Sequence, residues 1–251
     1  EERGWGRRGE SWRAMAVMAQ LGGEQWFNLG DRDLALHLRR TELLRSGRTL
    51  SDVTGDLAKR LGARATIVPM TDDEVRTIIR TADGDLAFQE YFVQRRAEPV
   101  AREILYSGAE NARSARAAIE ALRDPDLRGI VIAPSNPFLS IAPIFAIPDL
   151  REALASRTAP IIAVSPFIAG KTIKGPAAKL MEELGYSVGA TGLRGYYGDM
   201  IDALVVDHRD GPAGFDEGGR VFQTDTLMTN AVARAALANF CINALELFGR
   251  A

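Results

Sequence analysis

Residues 128–145 read RGIVIAPSNPFLSIAPIF. The first seven, RGIVIAP, are a short run with almost no polar alternation. That is the pattern of a strand buried on both faces of a parallel sheet. The remainder cannot continue that strand. Three prolines, Pro134, Pro137 and Pro143, stand among Ser135, Asn136, Ser140 and aliphatic residues. Proline fixes its own backbone angle and biases the preceding residue away from helical angles, so the loop is stiff. In an open α/β sheet, ligands bind beyond the carboxyl ends of the strands, which is where this corner falls.

Further along, PIIAVSP at 160–166 is a second strand of the same kind, and DALVVDHRD at 202–210 a third. Helical patterns lie between and around them, at 115–122, 148–155 and 226–248. GPAAKLMEELG at 175–185 adds another, with proline in its first turn and glycine at its end. Strands alternating with helices predict a parallel, doubly wound α/β sheet.

The first third differs. Residues 10–20 have helical spacing, with Trp12, Met15 and Met18 or Ala19 as the apolar stripe. The glycine-punctuated loop LGGEQWFNLGDRD occupies 21–33. Asp31 is placed to cap a helix running to Leu44 and stopping near Gly47, and a second helix spans 51–61, ended by Gly62. ARATIVPMTDD at 63–73 reads as a β-rich run into a turn. Runs at 75–81 and 86–93 flank ADGD as a hairpin. There is no internal repeat or low-complexity tract, and RDGPAGFDEGGR at 209–220 reads as the most mobile loop.

Composition narrows the function. The chain has 251 residues, 46% of them apolar, enough for a sizeable core without covalent staples. A net charge of −2 gives no basic excess for nucleic acid, and no cationic amphipathic face points to a membrane surface. The longest apolar run is too short to span a bilayer. Cys241, the only cysteine, sits in the helical pattern LANFCINALELF and reads as a buried small hydrophobe. One cysteine forms no internal disulfide, and two histidines are too few for a histidine-rich metal centre. The opening EERGWGRRGESW has no initiator methionine and no signal pattern, and reads as the middle of something.

Two constellations carry chemistry. The first joins both strand ends. Ser135 and Asn136 supply side-chain donors, and Ser165-Pro166 forms a second stiff corner. Gly170 and Gly175 with nearby amides can form an anion-binding nest. Lys171 and Lys174 add positive charge before a helix whose amide end favours anions. Together these suit a diphosphate, although an SNP turn and a solvated lysine pair are the plainer readings of each part alone. The second is WFNLGDRD, residues 26–33: flat apolar surface from Trp26 and Phe27, a donor and acceptor on Asn28, close backbone approach at Gly30. Asp31 caps a helix or helps hold a metal-bound ligand; a capped helix with a hydrophobic staple explains the same residues. In VPMTDD, Thr71, Asp72 and Asp73 approach a site or merely begin a turn.

Taken together, the segments WFNLGDRDLALHLRRTELLRSGRTLSDVT, IVPMTDDEVRTII, FQEYFVQRR, IAPSNPFLSIAPIF, AVSPFIAGKTIKGPAAKLMEELG and YYGDMIDALVVDHRD resemble the phospholactate transferase family of deazaflavin coenzyme F-420 biosynthesis. The resemblance runs over nearly the whole chain in order. It implies a Rossmann-like parallel sheet with helices on both faces, plus a helical and β-hairpin insertion. We place the insertion, on the acceptor side, at 1–97 and the nucleotide-binding part at 98–251. It also implies transfer of a phospholactyl or enolpyruvyl-phospho group from a guanosine diphosphate-linked donor to the ribitol hydroxyl of a deazaflavin precursor, with release of GMP. Magnesium as cofactor, a homodimer and a cytoplasmic location are implied too.

Carried onto this chain, the resemblance places Asn28, Trp26, Leu29, Gly30 and Met70 near the deazaflavin. Ser135, Asn136, Pro137 and Ser140 lie against the guanosine diphosphate, with Ser165, Pro166 and Gly170 closing its other side. Lys174 and Asp31 are the candidate catalytic residues. The family's opening strand, its glycine-rich loop and its acidic motifs have no counterpart here. The main metal ligands are expected in that segment, so the chain is expected to be N-terminally incomplete and inactive as it stands. The competing expectation is a non-catalytic regulator of the same fold that binds a nucleotide sugar.

Overall fold

The computed structural model describes residues 7, 9–210 and 220–248. Most of the predicted mobile loop and the first residues lie outside them.

Three helices open the fold: α1 (Arg13–Gln20), α2 (Asp31–Arg45) and α3 (Leu50–Arg60). Thr49 caps α3 by accepting from the Asp52 amide at 3.1 Å. The stripe predicted on α1 is not a core: no residue of α1 is buried, and Val17 and Met18 are exposed. Residues 64–70, read as β-rich, form no strand; Ile67 is exposed and only Thr71 makes an isolated bridge, to Ser114. β propensity fails there because, among the described residues, no partner strand stands alongside to pair with it.

The hairpin forms as β1 (Arg76–Thr81) and β2 (Gly84–Ala87), and a third strand, β3 (Glu103–Ser107), completes an antiparallel sheet of order β2-β1-β3. The second strand stops at Ala87, short of the predicted Val93, and residues 90–94 wind into a π-helical turn that buries Tyr91. Thus the small sheet draws its third strand from beyond position 97.

Beyond it the chain alternates: α4 (Arg116–Leu122), β4 (Ile130–Ile132), a π-helical turn at Pro137–Ile141, α5 (Ala142–Phe145), α6 (Pro148–Ala155) and β5 (Ile161–Val164). Next come a two-stranded ribbon, β6 (Phe167–Ile168) with β7 (Lys171–Thr172), and helices α7 (Ala177–Glu183) and α8 (Ala190–Tyr197). Strands β8 (Ala203–Asp207) and β9 (Arg220–Thr224) and the helix α9 (Ala231–Glu246) close it. The main sheet has order β4-β5-β8-β9 and is parallel throughout, the α/β fold the alternation predicts. β9 is an addition to the three strands read from sequence.

Every residue of β5 and β8 is buried, and the side chains alternate between two cores. Ile161, Ala163, Leu204 and Val206 face one core with Leu154 of α6, Leu180 and Met181 of α7 and Leu193 of α8. Ile162, Val164, Ala203 and Val205 face the other, with Leu237, Cys241, Ala244 and Leu245 of α9. The sheet therefore carries helices on both faces, and Cys241 is the buried hydrophobe expected. Each fully buried Ile or Leu contributes roughly 1.5–3 kcal/mol, well above the ~0–1 kcal/mol of an exposed ion pair, so these two strands contribute more to stability than the surface ion pairs. β4 departs from its reading: it is an edge strand, and Val131 is 43% exposed.

Candidate functional site

Parallel pairing puts the strand ends side by side. Ile132 registers with Ala163, and Val164 with Val205. The corner after β4 and the corner after β5 are therefore neighbours on one edge of the sheet, with Asp207 next along it. A groove of about 750 Å³ lies elsewhere, lined by Gly129 and Pro160 before β4 and β5 and by Leu245 of α9. It sits at the amino end of the strands, with Arg128, Thr158 and Glu246 among its lining residues, whereas the two corners lie at the opposite, carboxyl edge.

Asn136 organises the first corner. Its Oδ1 accepts from the Phe138 and Leu139 amides, both at 3.0 Å, capping the π-helical turn. That leaves its Nδ2, a buried donor with no hydrogen-bond partner among the described residues. An unpaired buried amide costs about 1–3 kcal/mol, so its retention calls for a partner or a function that supplies the acceptor. Pro137 is buried beneath the turn, Ser135 is half-buried and Ser140 is exposed.

The second corner is more closed than its composition suggests. Ser165 is 2% exposed, and its Oγ accepts from the Phe167 amide at 3.1 Å. Its hydroxyl therefore shapes the turn, while Pro166 is half-buried beside it. Gly170 sits with Ala169 at positive φ, 69° and 50°, in the two-residue turn of the β6–β7 ribbon. The Gly170 amide donates to Asp210 Oδ1 at 3.1 Å, which ties the ribbon to the end of β8. Lys174 is exposed on the loop between β7 and α7, and the Gly175 carbonyl accepts from Thr172 Oγ1 at 3.0 Å.

The aromatic constellation lies between α1 and α2. Trp26 and Phe27 meet edge to face at 5.6 Å, and both are half-buried. Trp26 Nε1 donates to Glu24 at 2.8 Å and Asn28 Nδ2 to the Gln25 carbonyl at 2.9 Å. Leu29 is half-buried, and Gly30 is buried against Glu10, where a Cβ would collide with the carboxylate. Asp31 does not cap its own helix, which starts at Asp31 with Gly30 before it. It accepts instead from Ser11 Oγ at 2.5 Å, the Arg13 amide at 3.2 Å and the Ala14 amide at 3.0 Å, capping α1. Those bonds, led by Ser11, hold its carboxyl below the usual carboxylate range. Glu10 reciprocates, accepting from the Arg32 amide at 3.0 Å. Both helix starts are thus locked across the shelf, and Asp31 is committed to that lock.

Asp72 and Asp73 are also joints. Asp72 accepts from the Ser51 amide and hydroxyl, and Asp73 from the Arg113 amide. Met70 packs on the cluster of Ala112, Ile147 and Leu150 together with Ile144 of α5, the helix just past the first corner. The shared cluster links the Met70 segment to the elements that follow the first corner.

Sequence reading missed Asp207, which is fully buried where β8 ends. Burial alone would raise its pKa. Bonds from the Arg209 and Thr226 amides, the Thr226 hydroxyl and the Arg209 guanidinium outweigh it and hold the carboxyl below the usual range. An aspartate ending an otherwise apolar strand was the available signal. Asp207, His208 and Asp225 are the one group of three candidate metal donors among the described residues. They do not suit a magnesium ion, which wants free oxygen ligands. Arg209 already occupies both aspartates, bonding Asp207 at 2.7 Å and pairing with Asp225.

Comparison with known proteins gives the chain its relatives. The family model described as "2-phospho-L-lactate transferase CofD" matches residues 10–234. A 2-phospho-L-lactate transferase of Methanosarcina mazei is 37% identical over 246 residues, 97% of this chain and 80% of that protein. A phosphoenolpyruvate transferase of Kitasatospora aureofaciens is 38% identical over 252 residues, 95% of this chain and 78% of the other. Among solved structures, a Bacillus halodurans protein of the UPF0052 family superposes with a TM-score of 0.54 at 17% identity. It covers 80% of this chain and 70% of that one, and it shows the fold alone.

Proposed function

The chain belongs to the 2-phospho-L-lactate transferase CofD family, an enzyme family of transferases, and from that premise we propose the reaction this molecule performs. It moves a phospho-acid, 2-phospholactyl or enolpyruvyl-phospho, from a guanosine diphosphate-linked donor to the ribitol hydroxyl of a deazaflavin precursor. The hydroxyl oxygen attacks the phosphorus carrying the acid, the bond from that phosphorus to GMP breaks, and the hydroxyl proton is released. Relatives named for lactate and for enolpyruvate donors match at 37% and 38% identity, so both donors stay within the proposal.

One observation carries the reading: the buried, unpartnered Nδ2 of Asn136 at the joint edge of β4 and β5. A diphosphate oxygen is the acceptor that such a donor lacks. Lys174, on the loop before α7, is assigned to the charge that develops on departing GMP. Catalysis then rests on positioning and electrostatics, with little covalent work for the protein. Trp26, Asn28, Leu29 and Gly30 are assigned to the deazaflavin ring and ribitol, with Asp31 holding that shelf rather than reacting. The cluster of Asp207, His208 and Asp225 does not fit magnesium, because Arg209 already occupies both aspartates.

The test uses the purified wild-type protein and one variant. Asn136→Asp keeps the oxygen that caps the turn and removes the Nδ2 donor. Calorimetry should show GDP binding to the wild type and at least ~10-fold weaker binding to the variant, the loss expected for a charge-assisted bond. Equal affinities would remove Asn136 from the site.

A further inference from the structure

Tyr106 stands on β3 of the small sheet, opposite Thr77. Its hydroxyl donates to the Phe138 carbonyl at 2.7 Å, thirty-two residues along the chain. Phe138 belongs to the turn that Asn136 caps, and its own amide donates to Asn136 Oδ1 at 3.0 Å. The two ends of one residue are thus gripped from opposite sides: the carbonyl by a tyrosine of the small sheet, the amide by Asn136. A second phenol, Tyr196 of α8, donates to the Pro137 carbonyl at 3.4 Å, and its ring meets Phe138 edge-on at 4.7 Å. Tyr186 closes the aromatic ring of contacts at 5.8 Å from Phe138.

We propose that Tyr106 is a positioning residue for the nucleotide corner. Through Phe138 it sets the turn whose amides fix the Asn136 side chain, and so it aims the unpartnered Nδ2. The relay runs from the Tyr106 hydroxyl to the Phe138 carbonyl, and from the Phe138 amide to Asn136 Oδ1, whose amide partner Nδ2 is buried and unpaired among the described residues. Without the first link the Phe138 carbonyl loses its bond to the small sheet, and the turn that fixes Asn136 is held less firmly, by its own cap and by Tyr196. Burial pushes the Tyr106 and Tyr196 phenols well above their ordinary range, so both remain donors at neutral pH. The same link makes the antiparallel sheet, which comes directly after the Met70–Asp73 segment, part of the nucleotide site. The inference rests on assigning Asn136 to the nucleotide.

The test is Tyr106→Phe, which removes one oxygen and leaves the ring. GDP affinity by calorimetry, deazaflavin-precursor affinity by fluorescence and the thermal midpoint are measured together, alone and combined with Asn136→Asp. The expected result is a 3–10-fold loss of GDP affinity with precursor affinity unchanged. The double variant should bind GDP no more weakly than Asn136→Asp alone, because Tyr106 acts through Asn136. A purely structural tyrosine would lower both affinities in step with the midpoint, and its effect would add to that of Asn136→Asp; either result overturns the proposal. Unchanged GDP affinity in Tyr106→Phe overturns it alone. Absence of GDP binding to the wild type overturns the functional reading and this inference with it.

Discussion

Asp207 and Asn136 share the carboxyl edge of the sheet and illustrate opposite uses of a buried polar side chain. Asp207 is fully satisfied: Thr226 and Arg209 take both of its oxygens, and its role is to lock the ends of β8 and β9 together. A carboxyl whose folded pKa is depressed adds stability above its unfolded value, near 3.9. That contribution is lost as pH falls through the folded value. Asp207→Asn should cost roughly 3 kcal/mol at pH 7, the scale of breaking a buried pair, and should flatten the decline in thermal midpoint between pH 5 and pH 3. A variant with the same acid slope as the wild type would deny Asp207 this role. Asn136 is the reverse case, half satisfied by its own turn. Its position was legible from the proline-rich corner. The inward turn of the Ser165 hydroxyl was not, because composition shows which groups a loop carries but not which way they point.

Among the elements, α8 shows why parts of the fold escaped sequence reading. The segment ATGLRGYY carries two glycines in eight residues and comes after Gly189 at φ 102°, a backbone angle that suits glycine. Propensity argues against a helix there, and packing wins. Gly192 is where it wins most narrowly, since a Cβ would collide with the Ser187 carbonyl oxygen. Gly192→Ala should therefore destabilise the protein by about 3 kcal/mol or more, the upper end of overpacking, read as a lowered denaturation midpoint. A neutral effect would mean that α8 shifts freely, against its close packing on Leu204. The buried parallel strands β5 and β8 were legible because an unbroken apolar run has few other uses. Strands β3 and β9 were missed for the opposite reason: EILYS and RVFQT mix polar and apolar residues, and each becomes a strand only because β1 or β8 offers it an edge. Hydrogen bonding runs across the boundary expected at 97, since β1 pairs with β3 over it.

On the scale of the whole molecule, two sheets and a helical unit each contribute to the proposed site. The helical unit brings the aromatic shelf, locked by reciprocal caps from Glu10 and Asp31. The small sheet reaches the corner proposed for the nucleotide through Tyr106. The parallel sheet supplies the two adjoining corners at its carboxyl edge. Among the described residues no helix is long and apolar enough to cross a membrane. The decisive experiment is a crystal structure of the protein with GDP and the deazaflavin precursor bound together. A diphosphate oxygen should lie within hydrogen-bonding distance of Asn136 Nδ2, and the tricyclic ring should lie against Trp26. A nucleotide seated instead at the amino end of the strands, in the groove beside Gly129 and Leu245, would refute the assignment.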